Sequence, residues 1–412
     1  MTLQLLHVSD IHLGSGETHG RINPKTGLNV RFEDFAQALS KSVDYALEHK
    51  VDVYLFSGDA YKNASPEPVY QKAFARQLKR LSDAGIQTIL LVGNHDQVMR
   101  STESHSMSVF ESLEIANVIT IDRPGLHVLD TPHGKLQVIG IPHVTRHLLM
   151  THEKYADLST AAVDKVLVNH VDALVRHYLD ELDDQIPAVA TAHMMVDRAR
   201  AGAEQDLMIG YSLTFPLEMF VHPALDYVAL GHVHGHQVLR AGEPSIVYAG
   251  SMERVDFSEE NEDKGFVHVQ LTRGNCTFQF VSIAPRRFLT IDADVTNSSE
   301  PTEALRRLIA KQQQHLDGCV LRIRYKVLTE QLPDIDENAL RAESEAALTV
   351  KFKPEVVVNE RPTRMPDLQE SAAASPLTAL DQYLERSAPE RREDLMARAR
   401  ALAEKLQADA AE

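Results

Sequence analysis

The sequence predicts an α/β protein: a four-layer α/β/β/α sandwich, then a second, small α/β unit and a C-terminal helical tail. Three observations lead there. Short buried apolar runs alternate with helix-period segments through the first part of the chain, the pattern of helices laid on a largely parallel sheet. Strands separated by turn signals follow, so that helices and a mixed sheet pair surround one core. Pro285 then opens a shorter strand and helix alternation, and a Pro, Ser and Ala-rich stretch precedes two leucine-patterned helices.

Taken in order, residues 3–9 read as a buried strand that delivers Asp10 and His12 on the loop at its end. Residues 33–49 have a helical period, and the apolar run Val53-Tyr54-Leu55-Phe56 stops at Ser57-Gly58-Asp59. The unit repeats, with a helix over 66–84 and a strand over 86–92 that ends at Gly93-Asn94-His95-Asp96. A long helix is expected over 157–182, then strands at 188–192 and 227–230 that deliver His193 and Gly231-His232-Val233-His234. Strands at 246–248, 266–271 and 277–283 complete a core of residues 1–284. The segment 285–360 alternates strand (288–291), helix (302–314), strand (319–327), helix (337–348) and strand (356–359). Residues 361–376 read as a flexible linker. In 377–412, Leu377, Leu380 and Leu384 mark one helical face and Leu395, Leu402 and Leu406 another, with too little apolar area to fold alone, so this tail is expected to dock.

Bulk properties narrow the class. At 412 residues the chain has room for a large core and smaller units. Its two cysteines, Cys276 and Cys319, argue against a disulfide framework or a thiolate zinc site and fit a reducing cytosol. No basic region precedes an early apolar stretch, and no run long enough to span a membrane occurs, so a cytoplasmic protein is expected. A net charge of −17 excludes a protein that coats nucleic acid by bulk electrostatics, but not an enzyme that binds it locally.

The strand-end blocks carry the chemistry. α/β sheets place ligands at the C-terminal ends of their strands. Two divalent ions ~3.5–4 Å apart need about seven side-chain ligands and one carboxylate that bridges them. This chain offers Asp10, His12 and His234 for one ion, Asn94, His193 and His232 for the other, and Asp59 as the bridge. Oxygen donors mixed with imidazoles suit manganese, iron or zinc better than calcium. Gly231 and Gly235 are expected to permit the turn that brings both His232 and His234 inward. The reaction served by such a pair is hydrolysis of a phosphate ester. His95 is the candidate to supply or stabilise the leaving-group proton, with Asp96 holding its ring. Singly, each block is a turn or a satisfied core histidine more often than a ligand, but five in this order are not. His19, His133, His143 and His236 read as surface or loop residues, with His236 and Arg146 kept as weak phosphate-contact candidates.

These blocks resemble the calcineurin-like metallophosphoesterases over about residues 1 to 275. Two further stretches, Tyr248-Ala249-Gly250-Ser251-Met252-Glu253-Arg254-Val255-Asp256-Phe257 with Glu259 and Lys264-Gly265-Phe266, and His7-Val8-Ser9-Asp10-Ile11-His12-Leu13-Gly14, are similar to the SbcD family of repair nucleases. The resemblance implies a manganese-dependent DNA nuclease, exonucleolytic on duplex ends and endonucleolytic on single strands or hairpins. It also implies that residues 285–360 form a capping domain and that the tail grips an SbcC-like ATPase of the SMC family. A homodimer would run through 66–84, with Tyr70 and Phe74, and 106–115, with Val109, Phe110 and Leu113; ordinary core packing explains the same apolar residues. Lys62 stands where relatives carry His or Asp, and would attract phosphate rather than ligate a metal.

The capping segment holds a local basic feature. Arg322, Arg324 and Lys326 alternate along one strand and so share a face. The alternatives are a solvated strand face and a DNA-backbone contact surface. For the whole chain, the alternatives to a nuclease are a small-molecule phosphodiesterase or phosphatase with the same centre, and a scaffold of this fold without catalysis.

Overall fold

The structure, a computed structural model, describes residues 2–97, 104–146, 158–200, 213–358, 376–387 and 389–409. The chain divides into two compact units, one of Met1–Ala293, Leu305–Arg324 and Glu337–Lys353, the other of Asp294–Ala304, Tyr325–Asp336 and Pro354–Glu412.

The larger unit is built on two six-stranded sheets. The strands are β1 (Leu3–Val8), β2 (Val53–Phe56), β3 (Gln87–Leu91), β4 (Val118–Ile121), β5 (Gly125–Thr131), β6 (Gly134–Ile141), β7 (Ala188–His193), the short β8 (Met195–Val196) and β9 (Thr214–Phe215), β10 (Tyr227–Gly231), β11 (Gln237–Arg240), β12 (Ser245–Tyr248), β13 (Gly265–Thr272) and β14 (Asn275–Ser282). The first sheet runs β14-β13-β1-β2-β3-β4 and the second β11-β12-β10-β7-β6-β5. In the first, β1 to β4 are parallel and β13 and β14 antiparallel, a mixed sheet of the expected kind.

Alternation along each strand sorts the side chains into layers. Leu5, Leu55 and Ile89 of the first sheet meet Val138, Val189 and Ala229 of the second between the sheets. On the outer face of the first sheet, Leu6, Phe56 and Leu90 pack against Phe35, Leu39 and Val43 of helix α1 (Val30–Glu48) and Phe74 and Leu78 of α2 (Pro68–Asp83). The second sheet's outer face packs Ala190 and Val228 on Val171 and Val175 of the helix Thr160–Asp180. This is the four-layer α/β/β/α order.

Differences from expectation are local. Residues 118–141, where the sequence suggests no element, supply three strands, two of them joined as an antiparallel hairpin. Tyr70, Phe74 and Phe110 are buried core residues, whereas Val109 is 45% and Leu113 65% exposed, so only the last two offer an apolar surface.

Beyond the core, strands Phe288–Asp294, Val320–Leu328 and Thr349–Val357 form a three-stranded sheet in that order. The last strand starts earlier than expected, where Val350 and Phe352 alternate with Lys351 and Lys353, and the preceding helix stops at Glu343. Pro354 is tolerated there on an edge strand. The helix expected over 302–314 breaks into Pro301–Lys311 and Gln313–Leu316. The tail forms helices Pro376–Ser387 and Arg392–Asp409, tied by Arg392 to Asp381 at 2.8 and 2.9 Å, with Leu384 and Met396 buried and Leu402 exposed. Most of the expected linker, residue 157 of the long helix, Asn359 and the Leu406 side chain lie outside the described residues. Among the described residues no helix is long and apolar enough to cross a membrane.

Candidate metal centre

Register aligns the strand ends that carry the site. Val8 pairs with Phe56 and Phe56 with Leu90, so β1, β2 and β3 release their loops side by side. In the second sheet Gly231 pairs with His193. The loops are then cross-bonded: the Asp10 N–H donates to the Gly58 carbonyl (3.0 Å) and the His12 N–H to that of Asp59 (3.1 Å). Space between the loops is minimal. A Cβ on Gly58 (φ 102°) would sit 2.2 Å from His193 Nδ1, and one on Gly231 would sit 2.1 Å from the Ser57 carbonyl oxygen. Gly231 is therefore there for close approach, not to make the turn; His232 itself takes the positive φ, 99°, and Gly235 does not have one.

All seven expected ligands converge. Asp10, His12 and His234 form one group, and Asp10, Asp59 and His193 another. His12 Nε2 lies 3.0 Å from His234 Nε2, 3.7 Å from an Asp10 oxygen and 3.6 Å from Asp59 Oδ2. On the other side, His193 Nε2 lies 3.2 Å from the same Asp59 Oδ2 and 3.0 Å from Asn94 Oδ1, which is also 3.0 Å from His232 Nδ1. One oxygen of Asp59 thus faces both histidine groups. Four of the seven, Asp10 (φ 52°), His12 (φ 46°), Asp59 (φ 63°) and His232, hold left-handed backbone, a strain that persists only where surrounding contacts impose it.

The donor set fits divalent cations. Burial alone would raise the Asp10 and Asp59 carboxyls, but the surrounding imidazoles hold both below the usual carboxylate range. Burial would lower His193 and His234, yet Asp59 raises the first to about 9 and Glu259 the second to about 9. His232 and His143 are pushed down, chiefly by burial and by the neighbouring His193 imidazole, to about 3 and about 4. Protons on two imidazoles therefore answer a negative field that cations would answer instead. Two Nε2 atoms 3.0 Å apart, as in His12 and His234, are a pair that a shared cation satisfies on both sides.

His95 is exposed at the rim, its ring 4.8 Å from that of His12 and edge-on to it. Its Nδ1 lies 2.9 Å from the Lys62 carbonyl, which only accepts, so Nδ1 carries a hydrogen and Nε2 is the working atom. This corrects the expectation that Asp96 holds the ring. The fully buried Asp96 carboxylate instead accepts from the backbone N–H groups of Asp59 (2.9 Å), Ala60 (3.1 Å) and Gly93 (3.1 Å) and from the Ser106 hydroxyl (2.9 Å). It braces the loops that carry Asp59 and Asn94. Burial and the Asp59 charge push Asp96 up to about 6, while hydrogen bonds accepted by both of its oxygens favour the ionised form.

His143, a half-buried loop residue, stands beside the centre: its Nδ1 is 3.3 Å from the His193 carbonyl and its ring 5.9 Å from that of His232. It follows strand β6, so the strand-end rule that finds the other blocks applies to it too. His236 stacks on Phe280 (4.3 Å) and bonds the Tyr248 carbonyl, and Arg146 bonds Asp164. Lys62 pairs with Glu17 at 2.9 Å and lies over the Tyr70 ring. The basic strand face is matched by acids: Arg324 bonds Asp292, Lys326 lies 3.6 Å from Glu355, and Arg322 donates to Thr290 Oγ1 (2.9 Å) and lies 3.9 Å from Glu260.

The family profile described as Calcineurin-like phosphoesterase matches residues 3–236, the stretch that carries every one of these candidate ligands. This chain belongs to the calcineurin-like phosphoesterase family. Within that family its relatives include SbcD and Mre11 proteins. It is 27% identical over 275 residues to the SbcD component of the nuclease SbcCD from Escherichia coli, a match covering 65% of this chain and 64% of that protein. To the DNA double-strand break repair protein Mre11 of Sulfurisphaera tokodaii it is 24% identical over 314 residues, 74% of this chain and 68% of the relative. To the SbcD component of the nuclease SbcCD from Bacillus subtilis it is 24% identical over 289 residues, 68% and 70% of the two chains. The part of the Escherichia coli protein that this phosphoesterase matches is thus just under two thirds of its length.

Proposed function

We propose that this phosphoesterase is the metal-dependent nuclease subunit of an SbcCD-type double-strand-break repair complex, cutting duplex ends exonucleolytically and single strands or hairpins endonucleolytically. The observation that carries the reading is the position of Asp59 Oδ2, 3.6 Å from His12 and 3.2 Å from His193, between two complete donor groups. Asp10, His12 and His234 would hold one divalent cation and Asn94, His193 and His232 a second, with Asp59 shared; manganese suits the set. When bound, the cations supply Lewis-acid charge stabilisation at the phosphoryl centre. The chain's own part is positional. Asp96 fixes the loops, the Lys62 carbonyl aims His95, and His95 Nε2 holds the proton that the leaving oxygen needs.

In this reading residues 1–284 are the nuclease core, 285–360 the cap and 361–376 a linker, and the helices of 377–412 dock on an SbcC-like SMC-family ATPase in the cytoplasm. Exposed Val109 and Leu113 supply apolar surface for a homodimer. Lys62, Arg322, Arg324 and Lys326 contact the DNA backbone after exchanging their carboxylate partners.

The test is cleavage of blunt duplex, hairpin and single-stranded DNA, beside bis-p-nitrophenyl phosphate, with manganese and then EDTA. Manganese-dependent DNA degradation that Asp59→Ala abolishes supports the proposal. Turnover of the small diester with every DNA intact, including in the presence of the ATPase, moves the assignment to a small-molecule phosphodiesterase.

A further inference from the structure

The stretch from Tyr248 to Phe266 contributes no ligand, yet it places a buried carboxylate directly behind one. Glu259, 3% exposed, lies in the short 3-10 turn Phe257–Glu259, and its Oε1 is 2.7 Å from His234 Nδ1. Because an ionised carboxylate only accepts, His234 must carry its hydrogen on Nδ1, which leaves Nε2 to face His12 and the metal centre. The second oxygen is also committed: Oε2 accepts from the Val255 N–H (2.9 Å) and lies 3.0 Å from the Lys264 ammonium.

Lys264 makes the arrangement more than a single hydrogen bond. It is fully buried, 3.1 Å from the His234 carbonyl and 2.7 Å from Glu262. A buried ammonium this close to a cation-binding imidazole is electrostatically adverse. Glu259 stands between the two charges and is bonded to both. Arg254 fixes the turn from the other side, donating to the carbonyls of Glu259 (3.0 Å) and Glu262 (2.8 Å).

We propose that Glu259 is a positioning residue for metal binding, which sets the His234 tautomer and shields that ligand from the Lys264 charge. The inference rests on the two-cation reading above, and it is specific to one half of the centre. His193, in the other half, is oriented by a neutral carbonyl, that of Ser57 at 2.7 Å. Loss of Glu259 should therefore weaken the cation held by Asp10, His12 and His234 and spare the one held by Asn94, His193 and His232.

The experiment is calorimetric titration of the full-length chain with Mn²⁺, for wild type, Glu259→Gln and Glu259→Ala, with thermal melts of each metal-free protein. Wild type is expected to bind two ions. In Glu259→Gln one of the two is expected to weaken about tenfold, and in Glu259→Ala towards a hundredfold, the usual range for removing the partner of a ligating histidine. If Glu259→Ala does not fold, the near-isosteric Gln variant decides alone. Two sites of unchanged affinity in Glu259→Gln would overturn the inference and leave the metal centre standing, as would equal weakening of both sites, the mark of a merely structural role. A wild-type chain that binds no Mn²⁺ would overturn the two-cation reading and this inference with it.

Discussion

Replacing Asp96 by Asn separates a brace from a catalytic partner. The carboxylate serves three backbone N–H groups, those of Asp59 and Gly93 on Oδ2 and that of Ala60 shared between Oδ1 (3.1 Å) and Oδ2 (3.3 Å), and Oδ1 also accepts from Ser106. An amide keeps one acceptor oxygen. Turned towards Asp59 and Gly93, it presents its NH₂ to the Ala60 N–H, donor against donor, while Ser106 can rotate to accept. The Ala60 N–H keeps only its longer bond, to the remaining oxygen, at a cost of about 1 kcal/mol, and two charge-assisted bonds become neutral ones, at about 0.5–1 kcal/mol each. The expected loss is about 2–3 kcal/mol, read by urea denaturation in EDTA so that metal binding does not contribute. Beside it, His95→Ala should cost no more than about 0.5 kcal/mol, because that side chain is exposed. If Asp96→Asn unfolds at the wild-type midpoint, or the two variants lose equal stability, the bracing role is wrong.

Gly58→Ala should lose about 2 kcal/mol or more, since alanine is disfavoured at φ 102° and its Cβ would strike His193 Nδ1; a thermal melt measures this, and weakened Mn²⁺ binding should accompany it. Lys62→Met should leave stability within about 1 kcal/mol, the usual value of a partly exposed ion pair such as that with Glu17, while weakening duplex-DNA binding severalfold, read by fluorescence anisotropy, because the Glu17 charge is left facing the phosphates.

What can be read from the residues alone follows from one rule: an apolar run that stops at Asp, Asn or His marks a strand end. It locates Asp10, Asp59, Asn94, His193 and His232 because β1, β2, β3, β7 and β10 are almost wholly buried and read as largely apolar runs. It misses the hairpin of β5 and β6, whose first strand is half-exposed and interleaves Asp130 and His127 with its apolar residues. His143 is lost with that hairpin. The role of Asp96 is hidden because its partners are backbone amides, which leave no mark in a sequence. Glu259 lies within a stretch that resembles the repair nucleases, but its contact with His234 is across a loop and becomes visible only in three dimensions.

The acidic partners along the strand Val320–Leu328 change what a polyanion would experience there. An isolated lysine or arginine that meets a phosphate releases a condensed cation from the nucleic acid, and each such contact adds about 0.9 to the slope of log K against log salt. At Arg324 or Lys326 the phosphate must first displace Asp292 or Glu355, and the freed carboxylate recaptures a cation from solution. In the proposed reading the strand would behave as an ion exchanger, with little net ion release. Binding there would be weak, nearly independent of salt and quickly reversed, properties suited to a surface along which a strand slides.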